Sequence, residues 1–264
     1  MNCKICNSAA GFFAEAKILF KYKIKYFKCE SCGFIQTEKP YWLEEAYSEA
    51  INESDIGLLK RNIEITKVTR AVIKTFFGKK GKYMDYGGGY GIFVRLMRDS
   101  GFDFYWYDKY CKNLFAGGFE AVACIEQEKK QFELLTANEV FEHLEEPIGE
   151  TEKMLDFSTN IFFTTELIPK HYPKPDEWWY YATDHGQHIS LYSLNSLKAI
   201  AKRFKLNLYT NGKNYHLLTS KKLISFIYKI ITFPYIPDLL NPVTKRKSFH
   251  DDDYEKAIGK ISKR

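Results

Sequence analysis

The sequence predicts an α/β protein with a doubly wound sheet of seven strands, mostly parallel with the last strand antiparallel, and a small N-terminal module. Strand-like and helix-like segments alternate from residue 82 to residue 220, which is the pattern of a parallel sheet covered on both faces. A glycine-rich turn follows the first of these strands, at the edge where such sheets bind ligands. Two Cys-x-x-Cys pairs precede the alternation and indicate the separate module.

The composition limits the class of protein. With 45% hydrophobic and 27% charged residues over 264 positions, the chain is typical of globular proteins and unlike disordered ones. It has no run of about 18 apolar residues that could span a membrane and no signal-like start, so we expect a cytoplasmic protein without a transmembrane segment. The net charge of +6 is compatible with an anionic partner but does not require one.

Residues 1–36 are expected to form a zinc-binding ribbon module. The two cysteine pairs are separated by 22 residues, and a hairpin-like stretch covers residues 12–27 between them. Four thiolates match the tetrahedral shell of Zn²⁺ and leave no position open for water, so we expect a structural zinc ion. A module of this size needs its metal to fold. The expected ligands are Cys3, Cys6, Cys29 and Cys32.

Residues 37–220 are expected to form the main domain, which begins with a helical lid. Helices are predicted over residues 43–50 and 58–77, and the second carries one apolar stripe that includes Ile65 and Val72. The predicted strands cover residues 82–86, 104–107, 121–125, 132–137, 161–166, 206–210 and 215–220. Further helical segments are predicted over residues 92–100, 114–117, 148–157 and 195–204.

The turn after the first strand of this domain has the pattern Asp-x-Gly-x-Gly-x-Gly, from Asp85 to Gly91. Its glycines allow a sharp turn and a close backbone approach to a ligand, and the next helix offers free N–H groups. A dinucleotide site would need a glycine three residues after Gly89, but Ile92 stands there. The turn therefore disfavours a nicotinamide-dependent dehydrogenase.

Two carboxylates indicate which ligand this turn takes. Asp85 would repel a pyrophosphate and attract the cationic methionine part of a sulfonium compound. Asp108 lies 21 residues beyond Gly87, near the spacing at which an acid holds the two hydroxyls of a ribose. Together these residues favour S-adenosylmethionine as the cofactor.

The segment Ala-Asn-Glu-Val-Phe-Glu-His-Leu-Glu-Glu-Pro at residues 137–147 completes a resemblance. With the glycine turn and Asp108, it is similar to the motifs of class I S-adenosylmethionine-dependent methyltransferases, over roughly residues 60–220. The resemblance implies the Rossmann-like fold of that class. The cofactor-binding residues that it implies are Asp85, Gly87, Gly88, Gly89, Tyr107, Asp108, Asn138 and Glu139.

Methyl transfer needs alignment, exclusion of water and sometimes a base, for which histidine is suited. The segment at residues 178–193 resembles a loop of a methyltransferase-23-like subfamily that includes sugar C-methyltransferases, which also begin with a four-cysteine zinc module. The resemblance implies that His188 is the base and His143 its assistant, and that Gln187 takes the position of an acid. His185, in the same segment, is a further candidate.

Gln187 distinguishes this chain from the sugar C-methyltransferases, because a glutamine cannot act as a base. This favours O-methylation of a small-molecule or glycan acceptor, a sugar hydroxyl in surface polysaccharide or secondary metabolism. A zinc-knuckle ribosomal or transfer RNA methyltransferase stays open, although the chain has no Asn-Pro-Pro-aromatic motif and no Pro-Cys pair. A non-catalytic module that binds S-adenosylmethionine also stays open.

Residues 221–264 form a C-terminal extension that begins with an apolar stretch at residues 223–233. We expect this stretch to pack on its own domain. The alternative is peripheral contact with a membrane, which would suit a lipid-linked glycan. The last residues are expected to be mobile.

Overall fold

The computed structural model describes residues 1–48, 55–78, 80–121, 132–240 and 246–261. The chain forms two compact units. The first unit comprises Met1–Asn52, Glu139–Lys153 and Phe163–Lys222, and the second comprises Glu53–Asn138, Met154–Phe162 and Leu223–Arg264.

Within the described ranges, the regular elements are ten strands and eight α-helices. The strands are β1 (Ala10–Ile18), β2 (Tyr22–Cys29), β3 (Ile35–Thr37), β4 (Lys82–Tyr86), β5 (Asp103–Tyr107), β6 (Leu134–Ala137), β7 (Asn160–Thr164), β8 (Ser190–Leu191), β9 (Asn207–Thr210) and β10 (Tyr215–Thr219). The helices are α1 (Leu43–Ala46), α2 (Leu58–Phe76), α3 (Ile92–Asp99), α4 (Pro147–Phe157), α5 (Leu194–Arg203), α6 (Ser225–Ile231), α7 (Ile236–Leu240) and α8 (His250–Ile261).

Six of the described strands form one mixed sheet in the order β5-β4-β6-β7-β10-β9. As predicted, β4 is parallel to its neighbours β5 and β6, whereas β10 is antiparallel to β9. The predicted count of seven strands is not confirmed, because residues 122–125 of the predicted strand 121–125 lie outside the described residues. Just before them, Glu120 forms an isolated parallel bridge with Trp106 of β5.

The second unit buries apolar side chains from its strands and from α2. In β4, Tyr83 and Met84 are fully buried, and α2 buries the stripe that its spacing predicted, with Ile65 and Val72 among its members. Strands that are apolar on both faces are typical of a parallel sheet with helices on both sides. This core holds the carboxyl end of β4, where the glycine turn begins.

Two predicted helices differ from the structure. Residues 114–117 form no regular helix, because the Asn113 side chain bonds both the N–H and the C=O of Ala116, at 2.9 and 2.7 Å, and holds a turn there. The helix predicted over residues 43–50 ends at Ala46, where Tyr47 leaves the helical conformation with φ −109° and ψ 17°. Residues 49–50 of that prediction lie outside the described residues.

The first unit contains an antiparallel sheet in the order β1-β2-β3-β8. Strands β1 and β2 form the hairpin that the sequence predicted. Strand β3 pairs with β8 through Ile35 and Leu191, so the four-cysteine segment shares a sheet with residues that follow the predicted histidine loop. The indole nitrogen of the buried Trp42 donates to the carbonyl oxygen of Gly186 at 2.8 Å and ties the same two segments together.

The C-terminal extension lies in the second unit, and part of its apolar stretch packs on α2 as expected. Tyr228 of α6 is buried, and its ring stacks on Phe76 at 6.4 Å between centroids. In contrast, Phe226 and Phe233 stay exposed, by 71% and 63%. No helix in the described residues has both the length and the apolar character that crossing a membrane requires.

Part of the C-terminal tail is fixed within the second unit, whereas residues 262–264 lie outside the described residues. Helix α8 is fixed by Asp253, which accepts hydrogen bonds from Arg98 Nε and Nη2 at 2.8 Å each. The two side chains are only 4% and 3% exposed, respectively. An ion pair of this kind has no signature in the local sequence, because its partners stand 155 residues apart.

Candidate cofactor and acceptor sites

The glycine turn of the second unit is held in a conformation that requires glycine. Gly87, Gly89 and Gly91 have φ values of 71°, 52° and 85°, in the left-handed region that other residues rarely adopt. The backbone nitrogens of Gly87 and Gly88 donate to the carbonyl oxygen of Tyr107 at 2.8 and 3.1 Å. A Cβ atom on Gly88 would come within 2.7 Å of the Trp106 ring and 3.1 Å of Asp85 Oδ2. The turn is thus a tight cradle next to the Asp85 carboxyl group.

Asp85 is a buried carboxyl group, only 2% exposed, at the carboxyl end of β4. Its Oδ1 accepts hydrogen bonds from Thr136 Oγ1 at 2.6 Å and from Asn138 Nδ2 at 3.1 Å. Burial raises the pKa of Asp85 to about 7, and the Asp108 carboxylate adds to the rise, whereas the two hydrogen bonds oppose it. A cation placed against this group would favour its ionised form.

Asn138 supplies the second polar group of this pocket. Its Oδ1 is buried and has no hydrogen-bond donor among the residues that the structure describes. An unsatisfied buried acceptor costs about 1–3 kcal/mol, so a ligand that donates a hydrogen bond here would be stabilised. The glycine cradle, the buried Asp85 carboxyl group and this acceptor fit the ammonium and sulfonium end of S-adenosylmethionine.

Asp108 lies directly after β5 and is engaged with backbone N–H groups. Its Oδ2 accepts from Gly89 N at 2.9 Å, and its Oδ1 accepts from the backbone nitrogens of Tyr110 and Cys111 at 2.7 and 2.8 Å. A carboxylate has about four acceptor positions, so capacity remains for a ribose hydroxyl. Asp108 therefore also fastens the glycine turn to the end of β5, a role that its spacing did not reveal.

Tyr107 and Glu139 complete the set of predicted cofactor residues. The Tyr107 ring packs between Tyr86 and Phe157, with centroids 4.9 and 6.2 Å away. Glu139 belongs to the first unit and has a φ of 54°, which is unusual for a residue with a side chain. Thr164, which sequence reasoning missed, holds it there: Thr164 Oγ1 donates to Glu139 Oε1 at 2.6 Å and accepts from Glu139 N at 2.8 Å.

The four predicted cysteine ligands come together in the first unit. Their sulfur atoms all lie within 4.8 Å of one another. The Sγ atoms of Cys3 and Cys32 are 3.6 Å apart, and those of Cys6 and Cys29 are 3.5 Å apart. A tetrahedral zinc ion with bonds of about 2.3 Å sets its sulfur ligands about 3.8 Å apart. The cluster therefore has the donor set and the size that Zn²⁺ requires.

Two of the predicted catalytic histidines also lie together in the first unit. The rings of His143 and His188 meet edge to face with centroids 4.9 Å apart. His188 Nδ1 is 2.7 Å from the carbonyl oxygen of Tyr180, and His143 Nδ1 is 3.2 Å from that of Gln187. Because a carbonyl oxygen only accepts, His188 Nδ1 carries a proton, whereas His143 Nδ1 also lies 3.1 Å from the Tyr47 hydroxyl group, which can donate or accept.

Gln187 and His185 both lie next to the His143–His188 pair, but they contact it differently. The side-chain amide of Gln187 is buried and donates to the carbonyl oxygen of Ala46 at 2.7 Å, so only its backbone carbonyl meets His143. The His185 ring lies 5.4 Å from that of His188, edge to face. Burial, with a smaller contribution from His185, lowers the pKa of His143 to about 4, so His143 is neutral at physiological pH.

Glu142 is a member of the cluster that sequence reasoning did not assign. It is fully buried, and one of its carboxylate oxygens lies within 4.8 Å of a ring nitrogen of both His143 and His188. Neither carboxylate oxygen has a hydrogen-bond partner within the described residues. Burial, with a further contribution from Glu139, raises the pKa of Glu142 to about 8. Only its place next to His143 in the sequence could have drawn attention to it.

The family model for a methyltransferase domain matches residues 60–211, which is more than half of the chain. The chain belongs to this methyltransferase family. It is therefore an S-adenosylmethionine-dependent methyltransferase, as the glycine turn and its acidic neighbours predicted. The family match does not extend to the finer assignment to the sugar C-methyltransferases.

Solved structures resemble this methyltransferase at low sequence identity. They include TnmH (13% identity, TM-score 0.44), with 69% of this chain and 62% of TnmH covered, so the chain spans somewhat less than two thirds of TnmH. A possible histamine N-methyltransferase from Thermotoga maritima (10%, TM-score 0.47) is covered over its full length by 68% of this chain. The plantazolicin methyltransferase bound to SAH (12%, TM-score 0.46) has 92% of its length covered by 69% of this chain. No curated protein matches the sequence.

Proposed function

We propose that this methyltransferase transfers the methyl group of S-adenosylmethionine to a hydroxyl oxygen of a small-molecule or glycan acceptor. A sugar hydroxyl in surface polysaccharide or secondary metabolism is the acceptor that we favour. The main support for S-adenosylmethionine as the cofactor is the buried Asp85 carboxyl group next to Asn138 Oδ1, an acceptor without a hydrogen-bond donor in the described residues. The cofactor supplies an activated methyl group when bound, and the residues of the chain position it and accept the proton.

The proposed cofactor residues would contact parts of S-adenosylmethionine that differ in charge. Asp85 and Asn138 Oδ1 suit the positive methionyl end, because one is an acid and the other an acceptor without a donor. Asp108 has acceptor capacity for the ribose hydroxyls. The glycine backbone from Gly87 to Gly89 allows close approach, and Tyr107 and Glu139 are proposed to line the adenosine side.

The acceptor hydroxyl loses its proton during the transfer, and we propose His188 as the base. The hydrogen bond from its Nδ1 to Tyr180 fixes the tautomer in which Nε2 accepts a proton. His143 is proposed to assist it, and His185 is the further candidate. The Gln187 side chain cannot take the proton. This favours an oxygen nucleophile over a carbon nucleophile, because a hydroxyl proton is more acidic than a C–H proton and can pass to a histidine.

We also propose that Cys3, Cys6, Cys29 and Cys32 hold a structural Zn²⁺ ion. Four thiolates close the coordination shell, so the ion would have no position for a substrate. Its role would be to join the residues before β1 to the turn between β2 and β3. The Gly33 φ of 71° supports this turn, and a Cβ atom there would overlap the Tyr172 hydroxyl group.

The test combines binding and turnover on the full chain. Calorimetry with SAH measures cofactor binding, and radiolabelled S-adenosylmethionine is then offered with nucleotide sugars, free and lipid-linked glycans, and RNA. We expect binding of SAH and label in a glycan as a methyl ether. Label in RNA alone would favour the RNA methyltransferase, and binding without any turnover would favour the non-catalytic module; either result contradicts the proposal.

Variants make this test specific to the residues. His188→Ala should leave SAH affinity unchanged and lower turnover by at least about a hundredfold, since general bases contribute at that level. His171→Ala is the matched control, because His171 is exposed in the same unit. Asp108→Ala should abolish SAH binding. Unchanged turnover of His188→Ala would remove His188 from the mechanism.

A further inference from the structure

We propose that Glu142, His143 and His188 form a binding site for one divalent transition-metal ion, separate from the four-cysteine cluster. All three residues belong to the first unit. The inference about the ion stands on this geometry, whereas its role in the reaction rests on the proposed function above.

The donor set fits a first-row transition metal. Two imidazoles and one carboxylate are a recurring triad for such ions and leave further coordination positions open. One candidate ligand atom from each of the three residues lies within 4.8 Å of the other two. Metal–ligand bonds of about 2.0–2.2 Å place ligand atoms about 3.0–3.5 Å apart, so a side-chain adjustment on the order of 1 Å would close the site.

Hydrogen bonds to backbone carbonyl oxygens hold both histidine rings, as is common for metal ligands. A ligating histidine typically donates its other ring N–H to a backbone carbonyl or carboxylate, which fixes the tautomer and the ring. His188 makes this bond to Tyr180, and His143 makes it to Gln187. Tyr47 OH also lies 3.1 Å from His143 Nδ1.

Glu142 provides an independent indication that a ligand belongs here. Its side chain is fully buried, and both of its carboxylate oxygens are without a hydrogen-bond partner in the described part of the chain. The hydroxyls of Thr165 and Tyr180 lie close enough to oppose the rise in the pKa of Glu142, but they bond to each other at 3.1 Å and to neither carboxylate oxygen. A buried acid without partners is costly unless it is neutralised or binds a cation, and the two imidazoles beside it would supply the remaining metal ligands.

With the cation bound, His143 and His188 would be its ligands and not bases, so the cation would replace His188 as the group that activates the acceptor hydroxyl. Open coordination positions accept a hydroxyl oxygen, and coordination lowers the pKa of that hydroxyl. The proton then passes to water, the oxygen forms its bond to the methyl carbon, and the carbon–sulfur bond breaks with its electron pair on sulfur. An acceptor with neighbouring hydroxyl groups, as in a sugar, would suit such an ion because two oxygens can coordinate.

The two metal sites can be separated experimentally because their donors differ. The thiolates retain Zn²⁺ strongly, whereas the imidazole–carboxylate site should exchange its ion. We would purify the full chain with zinc, remove labile metal with EDTA, and confirm the remaining zinc content. Co²⁺ is then titrated and followed by calorimetry and by its visible absorption, which lacks the sulfur-to-cobalt charge-transfer band when the ligands are nitrogen and oxygen.

We expect one Co²⁺ ion to bind per chain without displacing zinc. Glu142→Gln should weaken this binding by more than about tenfold, because even changes in the outer shell of a metal site cost that much. Glu152→Gln is the matched control on the exposed side of α4. Retained zinc and an unchanged circular dichroism spectrum show that Glu142→Gln is folded, and His188→Asn provides a second variant with the same expected loss.

The inference is overturned if Co²⁺ binds only with a thiolate spectrum, if it does not saturate, or if Glu142→Gln binds it as the wild type does. SAH binding, measured on the same preparations, reports on the cofactor site alone. Co²⁺ binding without SAH binding would refute the proposed function and leave the metal site standing. Turnover that is unaffected by metal removal, together with absent Co²⁺ binding, would refute the metal site and leave His188 as the base.

Discussion

The side-chain nitrogen of Asn138 donates to Oδ1 of Asp85 at 3.1 Å, while the side-chain oxygen of the same asparagine is buried without a donor in the described residues. The amide thus uses one half of its hydrogen-bonding capacity to fix the acid and leaves the other half for a ligand. Because Asp85 is itself buried and short of positive charge, the pair selects a ligand that is both a cation and a donor.

Gly88→Ala should damage the cofactor site, because the new Cβ would lie 2.7 Å from the Trp106 ring. Overpacking of this kind typically costs about 1–3 kcal/mol. We expect a similar loss in the free energy of unfolding and at least tenfold weaker SAH binding, both measured on the full chain. Gly117→Ala is the control, since a Cβ there meets nothing within 4 Å. Equal SAH affinity in Gly88→Ala and Gly117→Ala would show that the glycine turn can accommodate the added methyl group.

Asp85 should make the cofactor-free protein less stable as the pH rises. Its pKa is raised from 3.8 to about 7 in the folded state, so the folded protein binds the proton more tightly than the unfolded chain does. The resulting stability is complete below pH 3.8 and is lost as the pH rises to about 7. The loss is about 4 kcal/mol at most, and denaturant unfolding of wild type and Asp85→Asn should show it as a difference in slope with pH. Parallel slopes would mean that Asp85 is not the titrating group.

Cys32→Ser should remove the proposed zinc ion. With three thiolates left, the shell is open, so we expect the zinc that remains after EDTA treatment to fall from about one ion per chain to near zero. The thermal transition of the first unit should fall with it, because such modules depend on the metal. Cys111→Ser lies outside the cluster and should retain both zinc and stability. Full zinc content in Cys32→Ser would contradict the assignment.

Asp253→Asn should loosen the C-terminal helix. Among the described residues, the variant leaves the buried Arg98 guanidinium with only Asp103 as an acidic partner, at 2.6 Å, and breaking a buried pair costs about 3 kcal/mol or more. Asp252→Asn, whose side chain is 53% exposed, should cost little. Chemical denaturation compares the two, and hydrogen exchange over residues 250–261 shows whether α8 detaches. Matching stabilities would mean that this ion pair does not hold the helix.

Local patterns predicted much of this structure, and long-range contacts account for what they missed. The β1–β2 hairpin, helix α2 and the glycine turn follow from residue spacing and turn chemistry, which are local properties. The pairing of Ile35 with Leu191 joins segments more than 150 residues apart, and no local pattern encodes it. Likewise, Glu142 looks like an ordinary surface acid in the sequence, because its burial depends on how residues 139–153 fold within the first unit.

The residues of the candidate site also fall into those that local spacing predicts and those that depend on long-range contacts. Motif spacing predicted Asp85, Asp108 and the four cysteines as site residues, because they stand at fixed offsets from glycines or from each other. No sequence pattern points to Thr136 and Thr164, since each acts through its hydroxyl group on a residue of another strand or loop. In the sequence, a threonine within an apolar strand is explained by its preference for strands, so only the structure shows the hydrogen bond of its hydroxyl group.

The most direct measurement is calorimetric titration of S-adenosylmethionine into the wild type, Asp85→Asn and the control Asp156→Asn, which changes an exposed acid of α4 in the same unit. Wild type and control should bind alike, and Asp85→Asn should bind about 10- to 100-fold more weakly, because a hydrogen bond to a charged group contributes about 1.5–3 kcal/mol. The wild-type affinity should also rise as the pH increases towards 7, where Asp85 ionises. Equal affinity of the wild type and Asp85→Asn, at all pH values, would contradict the view that this buried acid receives the cofactor.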